Sequence, residues 1–99
     1  MKNILLVVRP GMSASLLTKH MKDEAQVQGK NVNIVTDCYA RARADYAKYD
    51  AILLGPEEKH MADKLSDHAD GTPVGVIDMK DYGTLNGAHV LNQACHMMA

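Results

Sequence analysis

The sequence predicts an α/β fold: a four-stranded parallel sheet in the order 2-1-3-4 with helices on both faces. Three observations predict it. Short apolar runs alternate four times with longer segments of helical period, and the connections between them are short. The first run, Ile4-Leu5-Leu6-Val7-Val8, is apolar at every position rather than at alternate ones, as a strand covered on both faces must be. Right-handed crossovers then leave few topologies, and the doubly wound order 2-1-3-4 is the natural one.

Each element carries its own signal. The first strand ends at Arg9-Pro10-Gly11, which breaks the apolar run. Ser13 to Gln28 follows as a helix with Leu17, Met21 and Ala25 on one face, Ser13 or Ser15 as its cap and Gly29 as its stop. Asn31 to Val35 alternates apolar and polar residues, the pattern of an edge strand. Asp37 to Lys48, rich in Ala and Arg, is the weakest helix, with Asp37 as its cap. Asp50 to Leu54 is the third strand. Pro56 then opens a helix that carries Met61, Leu65 and Ala69 at steps of four. Gly71-Thr72-Pro73 ends that helix, Val74 to Ile77 is the fourth strand, and Leu85 to Met98 is a last helix with Leu91, Ala94, Cys95 and Met98 on one face. The whole is a flavodoxin-like sandwich.

Composition narrows the function classes. With 99 residues the chain is sized for one domain, 1–99, with a modest core. Four tyrosines are its only aromatics, so that core must be aliphatic and methionine-filled. A formal net charge of −1 argues against nucleic acid, which needs a basic stripe. No apolar stretch approaches the roughly 20 residues that span a bilayer, and MKNILLVV is too short for a signal peptide. Cys38 and Cys95 are too few and too far apart for a disulfide framework or a metal knuckle. These features fit a cytoplasmic protein with reduced thiols.

In an open parallel sheet, ligands sit beyond the carboxyl ends of the strands where the strand order reverses. Here that point lies between the first and third strands. Arg9, Pro10, Gly11, Met12, Ser13, Ala14 and Ser15 form a loop there, with a helix N-terminus directly behind it. Its backbone N–H groups and hydroxyls suit an anion, although the same residues also suit a plain capped turn. There is no Walker lysine, no GxGxxG spacing and no carboxylate closing the third strand. A small tyrosine-phosphatase loop would need Cys and Arg where Val8 and Ala14 stand.

The blocks Gly11-Met12-Ser13-Ala14-Ser15-Leu16-Leu17, Leu53-Leu54-Gly55-Pro56, Val76-Ile77-Asp78 and Tyr82-Gly83, with Leu91 in the last helix, span the chain in order. They resemble the IIB component of the lactose/cellobiose family of bacterial sugar phosphotransferase systems. The resemblance implies a cytosolic domain that takes a phosphoryl group from a histidine of a IIA partner, holds it on a cysteine and passes it to a sugar bound in the membrane-embedded IIC partner. No cofactor and no metal site are expected. A thiol at a helix N-terminus is acidified and so becomes a competent nucleophile. The amides of the same loop would hold the transferred group.

Two positions depart from that family's pattern. The resemblance puts the phosphocysteine three residues before Gly11, where this chain has Val8, which offers neither nucleophile nor proton. It also puts a glutamine after Gly55-Pro56, where this chain has Glu57, whose charge repels phosphate. Arg9 is either the compensation for that charge or a solvated surface residue. Cys38, just past the second strand on the ligand side of the sheet, is either a substitute acceptor or a plain buried thiol, whereas Cys95 reads as a core residue. Asp37, Glu57 and Asp78, with Tyr82 near them, form an acidic rim or serve as caps and turn residues. Met12 is either an exposed partner contact or packed under its loop. His60 and His68 stand about 12 Å apart by helical rise, too far for one metal, and His20, His89 and His96 are scattered.

These readings give an expectation with two branches. One is a IIB-type component with fold and loop intact but no acceptor cysteine. The other is a non-catalytic IIB-like module that docks on IIA or IIC partners.

Overall fold

A computed structural model describes residues 1–9, 11–37, 48–68 and 71–98 of the chain. Strand β1 (Lys2–Val7) lies inside the sheet, parallel to β2 (Val32–Asp37) on one side and to β3 (Ala51–Leu54) on the other. Strand β4 (Val74–Val76) continues the sheet beyond β3, giving the order β2-β1-β3-β4. The predicted doubly wound topology is the observed one.

The uninterrupted apolar run of β1 is explained by where its side chains go. Ile4, Leu6 and Val8 enter one core cluster, and Leu5 and Val7 enter the other. Alternate residues of a strand point to opposite faces, so a strand with a core on each side is apolar throughout. The first face is covered by α1 (Met12–Val27), through Ala14, Leu17, Met21 and Ala25, and by α4 (Gly87–Met98), through Val90, Leu91 and Ala94. On the second face, α2 (Ala62–His68) brings Leu65 onto Ile52 and Leu54. Cys95 is half-buried against the first cluster.

Beyond shifts of a residue or two at strand ends, four departures from the sequence reading bear on the site. Helix α1 starts at Met12, and its N-cap is Gly11 in an extended conformation rather than a serine. The Ser15 hydroxyl instead donates to the Gly11 carbonyl at 3.2 Å. At its other end α1 stops as expected. Gly29 takes φ 68, and the N–H groups of Lys30 and Gly29 reach the Ala25 and Gln26 carbonyls.

Strand β2 runs two residues past Val35, so Asp37 ends a strand. The helix expected over Asp37–Lys48 lies, but for its two end residues, outside the described residues. Cys38 and Pro10 lie outside them as well.

Pro56–Met61 is a 3₁₀ helix, and α2 follows it. The proline has no N–H to offer, and the turn closes instead through Glu58 N–H to the Gly55 carbonyl at 2.9 Å.

The last predicted helix is split. A short helix, α3 (Met79–Gly83), comes first, and α4 begins only at Gly87. Leu85, between them, has φ 54, a left-handed conformation that no helix can contain. Its side chain packs on the core, and the His20 ring nitrogen Nδ1 lies 2.9 Å from its carbonyl. Asn86 caps α4 by accepting from the His89 N–H.

Among the described residues, no helix is long and apolar enough to cross a membrane.

Candidate functional site

The carboxyl ends of β1 and β3 open into a cleft of about 230 Å³. Its floor is Val8, whose side chain also belongs to the first core cluster and is only 4% exposed. Two hydrogen bonds fix the floor. The Val8 N–H donates to the Asp37 carbonyl at 3.2 Å, and the Gly55 N–H donates to the Val7 carbonyl at 2.9 Å. Gly55 closely approaches the floor, since a Cβ there would stand 3.1 Å from Val8 Cγ1.

One wall is the loop and first turn of α1: Gly11, Met12, Ser13 and Ala14. The first intrahelical bond runs from the Ser15 N–H to the Gly11 carbonyl at 3.1 Å, and no side chain caps the helix start. The preceding amides are therefore left to solvent or a ligand. The first turn contains no acidic residue, so the positive end of the helix dipole is unopposed within α1 itself. Met12 is 79% exposed, which excludes its folding back under the loop.

The opposite wall comes from the 3₁₀ turn. Glu57 and Glu58 line the cleft beside Pro56, and Tyr82 of α3 closes the third side. Arg9 reaches across, its Nε 3.1 Å from Glu57 Oε2 and 3.9 Å from Glu58 Oε1. Burial, and after it the charges of Glu57 and Glu58, raise the Tyr82 pKa above its usual 10.0. Its phenol therefore stays a protonated donor across the neutral range.

Magnitudes show how the wall charges balance. A helix N-terminus favours a negative group by about 0.3–1 kcal/mol when exposed. One unpaired carboxylate a few ångströms away would cancel that gain. Arg9 pairs with Glu57, with its guanidinium largely exposed to solvent.

The structure thus brings Val8, Arg9, Gly11, Met12, Ser13, Ala14, Glu57 and Tyr82 to one cleft. Ser15 faces a neighbouring groove with Thr18 and Lys19. Asp78 lies outside the cleft lining, because its carboxylate caps α3 by accepting from the Lys80 N–H at 2.8 Å. Sequence reasoning missed Glu58. The Glu57-Glu58 dipeptide was the available signal, but a regular α-helix was assumed there. Among the described residues, no three His, Cys, Asp or Glu side chains gather as metal ligands. His89 instead pairs with Asp81 at 2.9 Å.

The family model described as "PTS system, Lactose/Cellobiose specific IIB subunit" matches residues 3–93. The oligo-β-mannoside-specific EIIB component of the Bacillus subtilis phosphotransferase system is 39% identical over 100 residues, covering 99% of this chain and 97% of that protein. The solution structure of a cellobiose-specific phosphotransferase IIB component from Borrelia burgdorferi superposes with a TM-score of 0.82 at 31% identity, over 98% of this chain and 91% of that one. The lactose-specific IIB component domain from Streptococcus pneumoniae superposes with a TM-score of 0.86 at 15% identity, over 99% and 98% of the two chains, a likeness of fold.

Proposed function

This chain belongs to the lactose/cellobiose-specific IIB subunit family of the phosphotransferase system, and from that premise we propose a IIB component that keeps the anion-binding loop but cannot itself carry the phosphoryl group. Val8 is the observation that carries the reading. It stands just past β1 in the cleft that the uncapped start of α1 also lines, where an acceptor thiol would be acidified by the helix. In-line transfer needs a lone pair to attack phosphorus and a site that loses a proton. An isopropyl group supplies neither.

The rest of the cleft supports anion holding rather than bond making. Gly11, Met12, Ser13 and Ala14 present amides and a hydroxyl, and Arg9 adds a cation at the mouth. IIB components work with IIA and IIC partners, and this surface is where such partners would meet the chain. Sugar would be reached only through IIC, and the setting would be cytoplasmic.

A second reading, a non-catalytic docking or regulatory module, is favoured by Glu57 and Glu58. Two carboxylates in one small cleft oppose a bound dianion, so they suit a surface that docks partners without holding phosphate.

The test is phosphoryl transfer from phosphoenolpyruvate through the general phosphocarriers and a IIA partner. The expected result is no label on this chain and label on the Val8→Cys variant. Label on the unaltered chain, mapped to Cys38, would overturn the reading. Failure of Val8→Cys to take label would favour the docking module.

A further inference from the structure

We propose that Arg9 is a latch: an anion ligand parked on Glu57 until a phosphoryl-type oxyanion enters the cleft, when it changes partners. This deepens the reading of the cleft as an anion site and rests on it.

The geometry gives Arg9 both partners. It follows the floor residue Val8, and it lines the cleft together with Gly11, Met12, Ser13, Glu57 and Glu58. Its Nε lies 3.1 Å from Glu57, so the ion pair spans the mouth from one wall to the other. The side chains of Arg9 and Glu57 are 78% and 62% exposed, and Nε is 3.9 Å from the more buried Glu58. An exposed pair of this kind is worth less than about a factor of five in an equilibrium. A guanidinium can instead meet a phosphate through two parallel N–H bonds, with uncapped helix amides on the same anion. The pair is therefore weak enough to open and the alternative strong enough to open it.

The arrangement has a consequence for selectivity. While closed, Arg9 is neutralised and the mouth carries the leftover charge of Glu58, which disfavours casual anions. Only an oxyanion that reaches the α1 amides recovers what the latch gives up.

The test is titration of the full chain with inorganic phosphate, followed by amide and arginine side-chain NMR, with folding checked on the same spectra. Four proteins are compared: the unaltered chain, Glu57→Gln, Arg9→Gln and the double variant. Phosphate should shift the Arg9 Nε–H signal as well as the Gly11–Ala14 amides. Glu57→Gln should tighten binding by about threefold or more. The deciding comparison is between Glu57→Gln and the double variant. If Arg9 is itself a ligand, removing it weakens binding even when Glu57 is already neutral. Equal affinities there would make Arg9 a mere neutraliser and sink the latch while leaving the anion site standing. An Arg9 signal that stays still while the amides move would do the same. Amides that stay still in all four proteins would overturn the anion site itself, and the latch with it.

Discussion

Gly87 of α4 meets the backbone of α1 at His20: a Cβ on Gly87 would lie 2.5 Å from the His20 carbonyl carbon and 2.6 Å from the Met21 nitrogen. Both atoms are main chain and cannot rotate away. Gly87→Ala must therefore push apart the two helices that cover the larger core cluster. The expected cost is about 3 kcal/mol, the upper end for overpacking, measured by urea unfolding. A loss below about 1 kcal/mol would mean that the helices separate freely at this crossing.

At the cleft floor the close neighbour is a side chain, so the outcome is milder and depends on context. Gly55→Ala brings a Cβ to 3.1 Å from Val8 Cγ1 and should cost about 1 kcal/mol. In a Val8→Cys background, with one branch fewer at position 8, the same change should cost less. A double-mutant cycle checks the coupling, and additive losses would show that Val8 and Gly55 do not press on each other.

Asp78 holds the start of α3 by a hydrogen bond to the Lys80 N–H. Asp78→Ala should lower stability by about 1 kcal/mol, with Asn restoring most of it. Because α3 carries Tyr82 into the cleft, the amide signals of Gly11 to Ala14 should shift in the alanine variant. Unmoved signals would separate the cap from the site.

Tyr82 gives the pH dependence. Its pKa is raised, first by burial and then by Glu57 and Glu58. The folded state therefore favours the phenol over the phenolate. The stability that follows is fully present below the unfolded value of 10.0 and is lost as pH rises through the folded value. Titration of tyrosinate absorbance should place Tyr82 later than free tyrosine. In Glu57→Gln/Glu58→Gln it should move part of the way back, because burial remains. A full return to 10.0 would assign the whole shift to the carboxylates.

Much of the fold was legible because its signals are local and periodic. Ile4 to Val8 announced a strand covered on both faces, and Gly29 announced a helix end. The α3–α4 break was not legible. Leu85 is a good helix former held at φ 54 by packing and by His20, a residue 65 positions away. The 3₁₀ turn was missed because Leu65 at helical spacing reads the same whether the turn before it is tight or regular. At the site, Val8, Arg9 and Glu57 were visible as individual residues. Their meeting across the cleft was not, because loop residues find partners by tertiary position rather than by period.

The parity of β1 puts Val8 on the same side as Ile4 and Leu6, so the residue under the cleft is also the last rung of the larger core. Position 8 therefore serves the core and the cleft at once. A nucleophile there would have to give up aliphatic packing, about 0.5–1.5 kcal/mol for the loss of one methyl, and leave a reactive sulfur at the edge of the core. Valine takes that packing, with only 4% of the residue exposed. A smaller side chain at position 8 therefore loosens the larger cluster at the same time as it reshapes the cleft.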